Sequence, residues 1–329
     1  MKKAPPYISF FLLLLFAFCF YSSAFGQALS QDEVEALKDI AKTLGRENLF
    51  SGCNSSEQLQ NMSSCMMLKS NQTTAVICNC SYADSTLCHV TSLCVKRESL
   101  PGQLPAELVR LPYLQQIDLT YNLLNGTIPK EWGRMTNLTF ISLGGNRITG
   151  SIPKEIANIS GLQVLVVEFN QMSGNLPPEL GNLSQLQRLQ ISSNNFTGEL
   201  PATLAKLTSL QIVQLSDNQF SGKIPDFIQS WTNLQQLVIQ GSGVSGPIPS
   251  GLAVLGYLND LDISYNNFSI SGSQNNQGCQ AENTNLFASS LTRNDTGKVS
   301  CLESTVCSKR ECAPLITSVV SRSTSILES

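Results

Sequence analysis

A single histidine, His89, stands in a chain of 329 residues. That scarcity argues against a Ser-His-Asp triad, because the only candidate base lies in a cysteine-rich stretch near one end. Glycine-rich phosphate loops followed by lysine are missing, as are H-R-D and D-F-G stretches, which predicts a chain without a kinase domain. The "PDF" at Pro225 to Phe227 is ordinary sequence of its surroundings. Charge is sparse, 14% of residues, and the balance is −3. Positive charge is not clustered, which argues against a nucleic-acid partner. Cysteine is absent between Cys94 and Cys279. Beyond the N-terminus no apolar run approaches the ~20 residues of a membrane span; "LITSVV" at 315–320 is far too short.

What the chain does have is a period of 24 residues. Asn122, Asn146, Asn170, Asn194, Asn218 and Asn266 form one column, broken only by Ser242. Gly126, Gly150, Gly174, Gly198, Gly222 and Gly246 follow four residues later, and Pro105 to Pro249 make a third column. Apolar columns run between them, such as Ile117, Ile141, Leu165, Leu189, Val213, Leu237 and Leu261. Each unit is too small to bury its own leucines, so stacking on the next unit must close the core. The pair Ile117 and Leu119 has period 2, which places both side chains inward from a short strand. The asparagines are predicted to turn inward as a structural ladder, their amides satisfying loop backbone groups. A period in the twenties with L-x-x-L-x-L-x-x-N predicts an α/β solenoid of leucine-rich repeats with about eight turns over residues 90–270. Strands ~4.8 Å apart make its sheet roughly 35 Å long.

The repeat form, as in "LPYLQQIDLTYNLLNGTIP" and "LSQLQRLQISSNNFTGELP", resembles the plant-type repeat of receptor-like kinases and receptor-like proteins. The resemblance implies a second, lateral strand at the G-x-I-P segment and a superhelical twist.

The ends read as an export signal and caps. Lys2 and Lys3, the apolar run Ile8 to Phe20 and Ala24-Phe25-Gly26 predict a signal peptide over residues 1–26. Its removal takes two lysines from −3, leaving −5. Residues 27–89 are expected to form an N-terminal cap, with a helix that starts at a capping box of Ser30 and Glu33 and stops at Gly45. Cys53, Cys65, Cys78, Cys80, Cys88 and Cys94 crowd that end; Cys279, Cys301, Cys307 and Cys312 crowd a C-terminal cap at 271–313. Even counts in a secreted chain predict disulfide staples, with connectivity open. The resemblance to receptor ectodomains favours Cys80 with Cys88, and Cys94 is expected at an outward strand position, free to stand unpaired. Cys78-Asn-Cys80 lacks zinc-site spacing, so no metal or cofactor is expected. Residues 314–329 read as a disordered tail.

Eleven N-x-S/T sequons (Asn54, Asn61, Asn71, Asn79, Asn125, Asn137, Asn158, Asn182, Asn195, Asn267 and Asn294) predict a glycoprotein. Folded onto one repeat, none of the repeat sequons falls on the strand, so the concave sheet is expected to be free of sugar. On that face Phe140, Val164, Val166 and nearby Phe169 form an apolar cluster flanked by Glu168 and Arg188, with Ser142, Gln190, Ile212 and Gln214 beside it. An apolar patch with a charged rim predicts a ligand contact.

The stretch "CQAENTNLFASSLTRNDTGKVSCLESTVC" resembles the segment that closes the repeat domain in a receptor-like kinase subfamily with a malectin-like domain. The resemblance implies an extracellular, apoplastic module that binds a protein, peptide or glycan, or a second receptor ectodomain, without chemistry of its own. It equally implies an incomplete stretch of a transmembrane receptor Ser/Thr kinase, ending where the malectin-like domain would begin. A third expectation is a secreted inhibitor of a cell-wall-degrading enzyme, like the polygalacturonase inhibitors. Arg188, alone in positive charge on the concave columns, counts against it.

Overall fold

The computed structural model describes residues 28–50, 65, 73–81 and 87–269. Helix α1, Gln31–Thr43, begins at Ser30, whose hydroxyl accepts the Glu33 amide at 3.3 Å. It ends at Gly45, in the left-handed region with φ 85°; the Gly45 and Arg46 amides reach back to Lys42 and Ala41, a Schellman closure. The expected capping box is only half made. Glu33 is buried, and its carboxylate is used elsewhere: one oxygen lies 3.1 Å from His89 Nδ1, the other accepts the Val90 amide at 3.1 Å. A buried carboxylate needs strong donors, and the incoming strand supplies them better than the helix's own first turn. The contact fastens the cap helix to the first strand, where His89 stacks on Tyr113 with ring centroids 4.0 Å apart.

The strands follow in chain order: β1 Ala28–Leu29, β2 Thr74–Asn79, β3 Leu87–Val95, β4 Gln116–Asp118, β5 Phe140–Ser142, β6 Thr149–Gly150, β7 Val164–Val166, β8 Gln171–Asn175, β9 Arg188–Gln190, β10 Asn195–Gly198, β11 Ile212–Gln214, β12 Gln219–Phe220, β13 Gln236–Val238, β14 Ser245–Pro247, β15 Asp260–Asp262 and β16 Asn267–Ser269. The main sheet runs β1-β3-β4-β5-β7-β9-β11-β13-β15, with β2 antiparallel on β3. From β3 onward its strands are parallel in 24-residue register, for example Ile117 opposite Ile141 and Leu165 opposite Leu189. Eight strands, β3 to β15, correspond to the eight expected turns. Short 3-10 turns after each repeat proline form the opposite wall. The strand and turn residues Leu138, Leu143, Ile156 and Leu162 are almost wholly buried between the walls, each contributing roughly 1.5–3 kcal/mol. Trp132 and Trp231 are buried there too, each indole N–H donating to a carbonyl one repeat back, of Pro105 and Leu204 at 2.9 Å.

The asparagine ladder is as the sequence predicts. Asn194 is typical: its Oδ1 accepts the Met172 amide at 2.9 Å, while Nδ2 donates to the carbonyls of Val167, Ile191 and Ser192 at 3.0, 3.2 and 3.1 Å. Asn146, Asn170 and Asn218 repeat the pattern one turn at a time. Asn122 does the same with Leu100 and accepts the Glu98 amide as well.

Ser242 shows how the fold absorbs the missing amide. The Phe220 N–H, which a ladder asparagine would otherwise receive, donates at 2.8 Å to the Ser242 backbone carbonyl. Gly241 and Gly243 flank it with φ of 56° and 90°, and a Cβ on Gly243 would lie 2.4 Å from the Phe220 oxygen. Main chain thus replaces side chain, and two glycines permit the detour. The lateral strands divide at the same point: β12-β10-β8-β6 form one sheet and β14-β16 another. These lateral strands realise the G-x-I-P expectation.

At the N-terminal end Cys80 pairs with Cys88, as the resemblance implied. Cys94 overturns its expectation: it is fully buried and bonded to Cys65. The reason is the cap. Cys94 does point to the concave side, but Cys65, Ala75 and Ile77 cover it in a small satellite core. The Cys65 amide also donates to the Gln116 side chain, and Lys96 joins the Cys65 carbonyl to buried Asp118 at 3.2 and 2.9 Å. Cys78 is half-buried against the main core. Cys53, Cys279, Cys301, Cys307 and Cys312, and the segments expected as signal peptide, C-terminal cap and tail, lie outside the described residues.

Candidate functional site on the concave face

Because the cap lies over the concave side of β3 and β4, the open part of that face begins at β5. There the structure forms a hollow of about 200 Å³ lined by Thr120, Tyr121, Phe140, Ser142, Gly144, Val166, Glu168, Phe169, Arg188 and Gln190. Seven of the ten residues predicted for ligand contact therefore line one depression: Phe140, Ser142, Val166, Glu168, Phe169, Arg188 and Gln190. Val164, Ile212 and Gln214 lie outside its lining. The expected exposure needs correction, however. Ser142 and Val166 are only 6% and 8% exposed, because short side chains on a closely paired parallel sheet are shaded by those on either side. Phe140 and Val164 are half-buried. The apolar surface offered to solvent is mostly Phe169 and, unanticipated, Tyr121, at 55% and 54% exposure.

Tyr121 and Phe169 share one repeat position, just before the ladder asparagine, where the backbone turns left-handed with φ of 56° and 54°. Gly145 holds that position between them with φ 70°. A Cβ on Gly145 would lie 2.7 Å from Tyr121 Cδ1, so the tyrosine ring leans over the glycine. Neighbouring Gly144 does the same for Glu168, whose Cγ would lie 3.3 Å from its Cβ. Gly144 thus opens the hollow's floor, while the space over Gly145 is taken by the Tyr121 ring. The Glu168 carboxylate has no hydrogen-bond or ion-pair partner among the described residues. Burial alone pushes its carboxyl above the usual carboxylate range.

The polar residues on the C-terminal side are not loose. Gln190 donates to Gln214, Gln214 to Gln236 at 3.1 Å, and Gln236 to Asp260, a side-chain chain across four strands. Gln190 and Gln214, predicted as contact residues, are thereby held in fixed rotamers. The spacing of 24 and then 22 residues was the signal: glutamine at two outward positions of successive strands sets up a diagonal ladder. Of the predicted sequons, Asn79, Asn125, Asn137, Asn158, Asn182, Asn195 and Asn267 are described and all are exposed, none on a main-sheet strand from β4 onward. Asn54, Asn61, Asn71 and Asn294 lie outside the described residues. Among the described residues no cluster of histidine, cysteine or carboxylates is arranged to hold a metal ion. No described helix is long and apolar enough to cross a membrane.

Five segments, 113–135, 137–159, 161–183, 185–207 and 209–231, match the family model Leucine Rich Repeat. The Arabidopsis thaliana protein named probable LRR receptor-like serine/threonine-protein kinase RFK1 is 44% identical over 127 residues, 38% of this chain and 12% of its own length. Another probable leucine-rich repeat receptor-like serine/threonine-protein kinase of Arabidopsis thaliana is 50% identical over 123 residues, 35% of this chain and 11% of its own. The chain spans about a tenth of the length of these curated relatives. Among solved structures, PEPR1 bound to AtPEP1 superposes with TM-score 0.56 at 30% identity, over 72% of this chain and 31% of that one. The Arabidopsis HAESA ectodomain bound to an N-terminally extended IDA peptide hormone gives 0.53 at 34%, over 56% and 31%. The described solenoid thus carries leucine-rich repeats and is similar to the ectodomains of plant receptor-like kinases.

Proposed function

We propose that the chain is an extracellular, non-catalytic recognition module that binds a peptide, or a peptide-like segment of a protein, in the hollow of its concave face. The observation that carries the reading is the hollow itself: an open depression with two solvent-exposed aromatic rings, on the one broad face that no described sequon enters. Rigid aromatics beside a depression provide large contact area at small entropic cost. The comparisons support it, since two similar structures are a plant peptide hormone receptor, RGFR1 with RGF2, and the HAESA ectodomain with an IDA peptide hormone. Passage through the secretory route and glycosylation at the exposed sequons complete the reading, as does a place in signalling alongside a receptor-like kinase.

The test is a random heptapeptide display library panned on the full chain, secreted and glycosylated from plant cells. Recovered peptides are expected to bind at least tenfold more weakly to a Phe140→Gln, Val166→Ser double variant, about 1.4 kcal/mol. Gln116 and Ser142 hold the same repeat positions, so the variant keeps the fold. No recovered peptide, or peptides indifferent to the double variant, would sink the reading.

A further inference from the structure

Three properties converge at one end of the hollow. First, Tyr121 and Phe169 present aromatic rings from a left-handed position that the other turns fill with Arg97, Gly145, Ser193, Asp217, Gly241 and Tyr265. Of that column only Tyr121 and Phe169 line the hollow. Secondly, Gly145 lets the Tyr121 ring lean from its own turn toward Phe169, whose backbone lies two strand spacings from that of Tyr121, about 10 Å. Thirdly, the half-buried Glu168 carboxylate lines the same space and has no partner among the described residues.

A partly desolvated anion without a partner is costly, and an arriving cation offsets that cost. Aromatic faces attract cations as well. The molecule already shows this on the outer side of the same ring, where the Arg97 guanidinium carbon lies 5.1 Å from the Tyr121 centroid. Arg188 lines the same hollow from further along the sheet. It sits one strand over and four residues back from Ser192, the residue in register with Glu168, about 13 Å along the sheet.

We propose that Tyr121, Glu168 and Phe169 form a subsite for a basic side chain, lysine or arginine, of the bound peptide. The proposal rests on the reading of the concave face as a peptide site and adds the chemistry at one end of it. The carboxylate supplies the charge-assisted hydrogen bond, and the two rings supply the apolar, electron-rich walls. Arg97 at the back of Tyr121 sets the limit, since it admits a single cation near that ring.

The heptapeptides recovered on the full secreted chain provide the probe. They are expected to share lysine or arginine at one fixed position. Exchange of that residue for norleucine weakens binding about tenfold, and Glu168→Gln weakens it by a similar factor. With norleucine already in place, Glu168→Gln has little further effect, because the interaction is already gone. Gln240 occupies the equivalent repeat position, and glutamine matches glutamate in shape, so the variant folds. Peptides with no shared basic position, or indifferent to Glu168→Gln yet weakened by the Phe140→Gln, Val166→Ser pair, overturn the subsite and leave the peptide reading standing. Indifference to that pair overturns both.

Discussion

Replacing Asn194 with alanine isolates what the ladder contributes. The asparagine is 8% exposed and makes four hydrogen bonds to backbone groups in two adjoining turns. Alanine leaves the Met172 N–H without an acceptor in a dry interior, at about 1–3 kcal/mol. Three carbonyls lose a donor as well, and a small void opens where the amide lay. Together these amount to about 3–5 kcal/mol, a large fraction of the stability of any domain. The assay is urea unfolding followed by circular dichroism, combined with amide exchange at Met172. The expected result is a lower unfolding midpoint with Met172 exchanging at least a hundredfold faster, about 2.8 kcal/mol on the scale of 1.4 kcal/mol per tenfold. Gln163→Ala, at an exposed position of the same face, serves as control and is expected to change stability by at most about 0.5 kcal/mol. A loss under about 1 kcal/mol for Asn194→Ala, with Met172 still protected, would refute the reasoning. The column would then be a sequence marker without an energetic role.

Two further predictions concern the ends of the array. Gly243→Ala forces a Cβ to within 2.4 Å of the Phe220 carbonyl at φ 90°, and is expected to lower stability by about 2–4 kcal/mol by thermal unfolding, whereas Gly256→Ala, with open space around its Cβ, changes little. Glu98 ties the end of the cap to β2: it accepts from Thr73, Arg46 and Thr74, which hold its carboxyl below the usual range. A depressed folded value means that the contribution is present above the ordinary carboxylate range and is lost as pH falls through the folded value. The urea midpoints of wild type and Glu98→Gln are therefore expected to differ at neutral pH and to converge in acid. A constant difference would remove the carboxylate's charge from the account.

The repeat was legible because stacking punishes any slip: one displaced leucine exposes a core position in two turns at once. The periodic columns therefore carried the number of turns, the inward strand pairs and the ladder, while the lateral strands came from the resemblance of the repeat. What escaped was local and non-periodic. Cys94 was read from its strand position, which is outward; only the Cys65 segment, folded over from a different part of the chain, makes that position buried. Glu33 fitted a local capping motif, but a longer-range partner, Val90, took its carboxylate. In the site, the depth of Val166 and Ser142 depends on the sizes of their neighbours on adjoining strands. Tyr121 was overlooked because its position follows the strand and lies outside the alternation that defines a face. Its resemblance to Phe169, 48 residues later in the same column, was the available signal.

The detour at Gly241-Ser242-Gly243 has a mechanical consequence. From the turn of β6 to that of β12 adjacent turns are joined three times over, through the main sheet, the lateral sheet and the asparagine column. Between the turn of β12 and that of β14 the lateral strands do not pair, one backbone bond from Ser245 to Gly222 remains, and a main-chain carbonyl stands in for the amide. In a linear array, the weakest junction sets where cooperativity ends. Pulled from its C-terminus, this solenoid would give way at that seam, releasing β13 to β16 as a unit while the turns around the hollow stay closed.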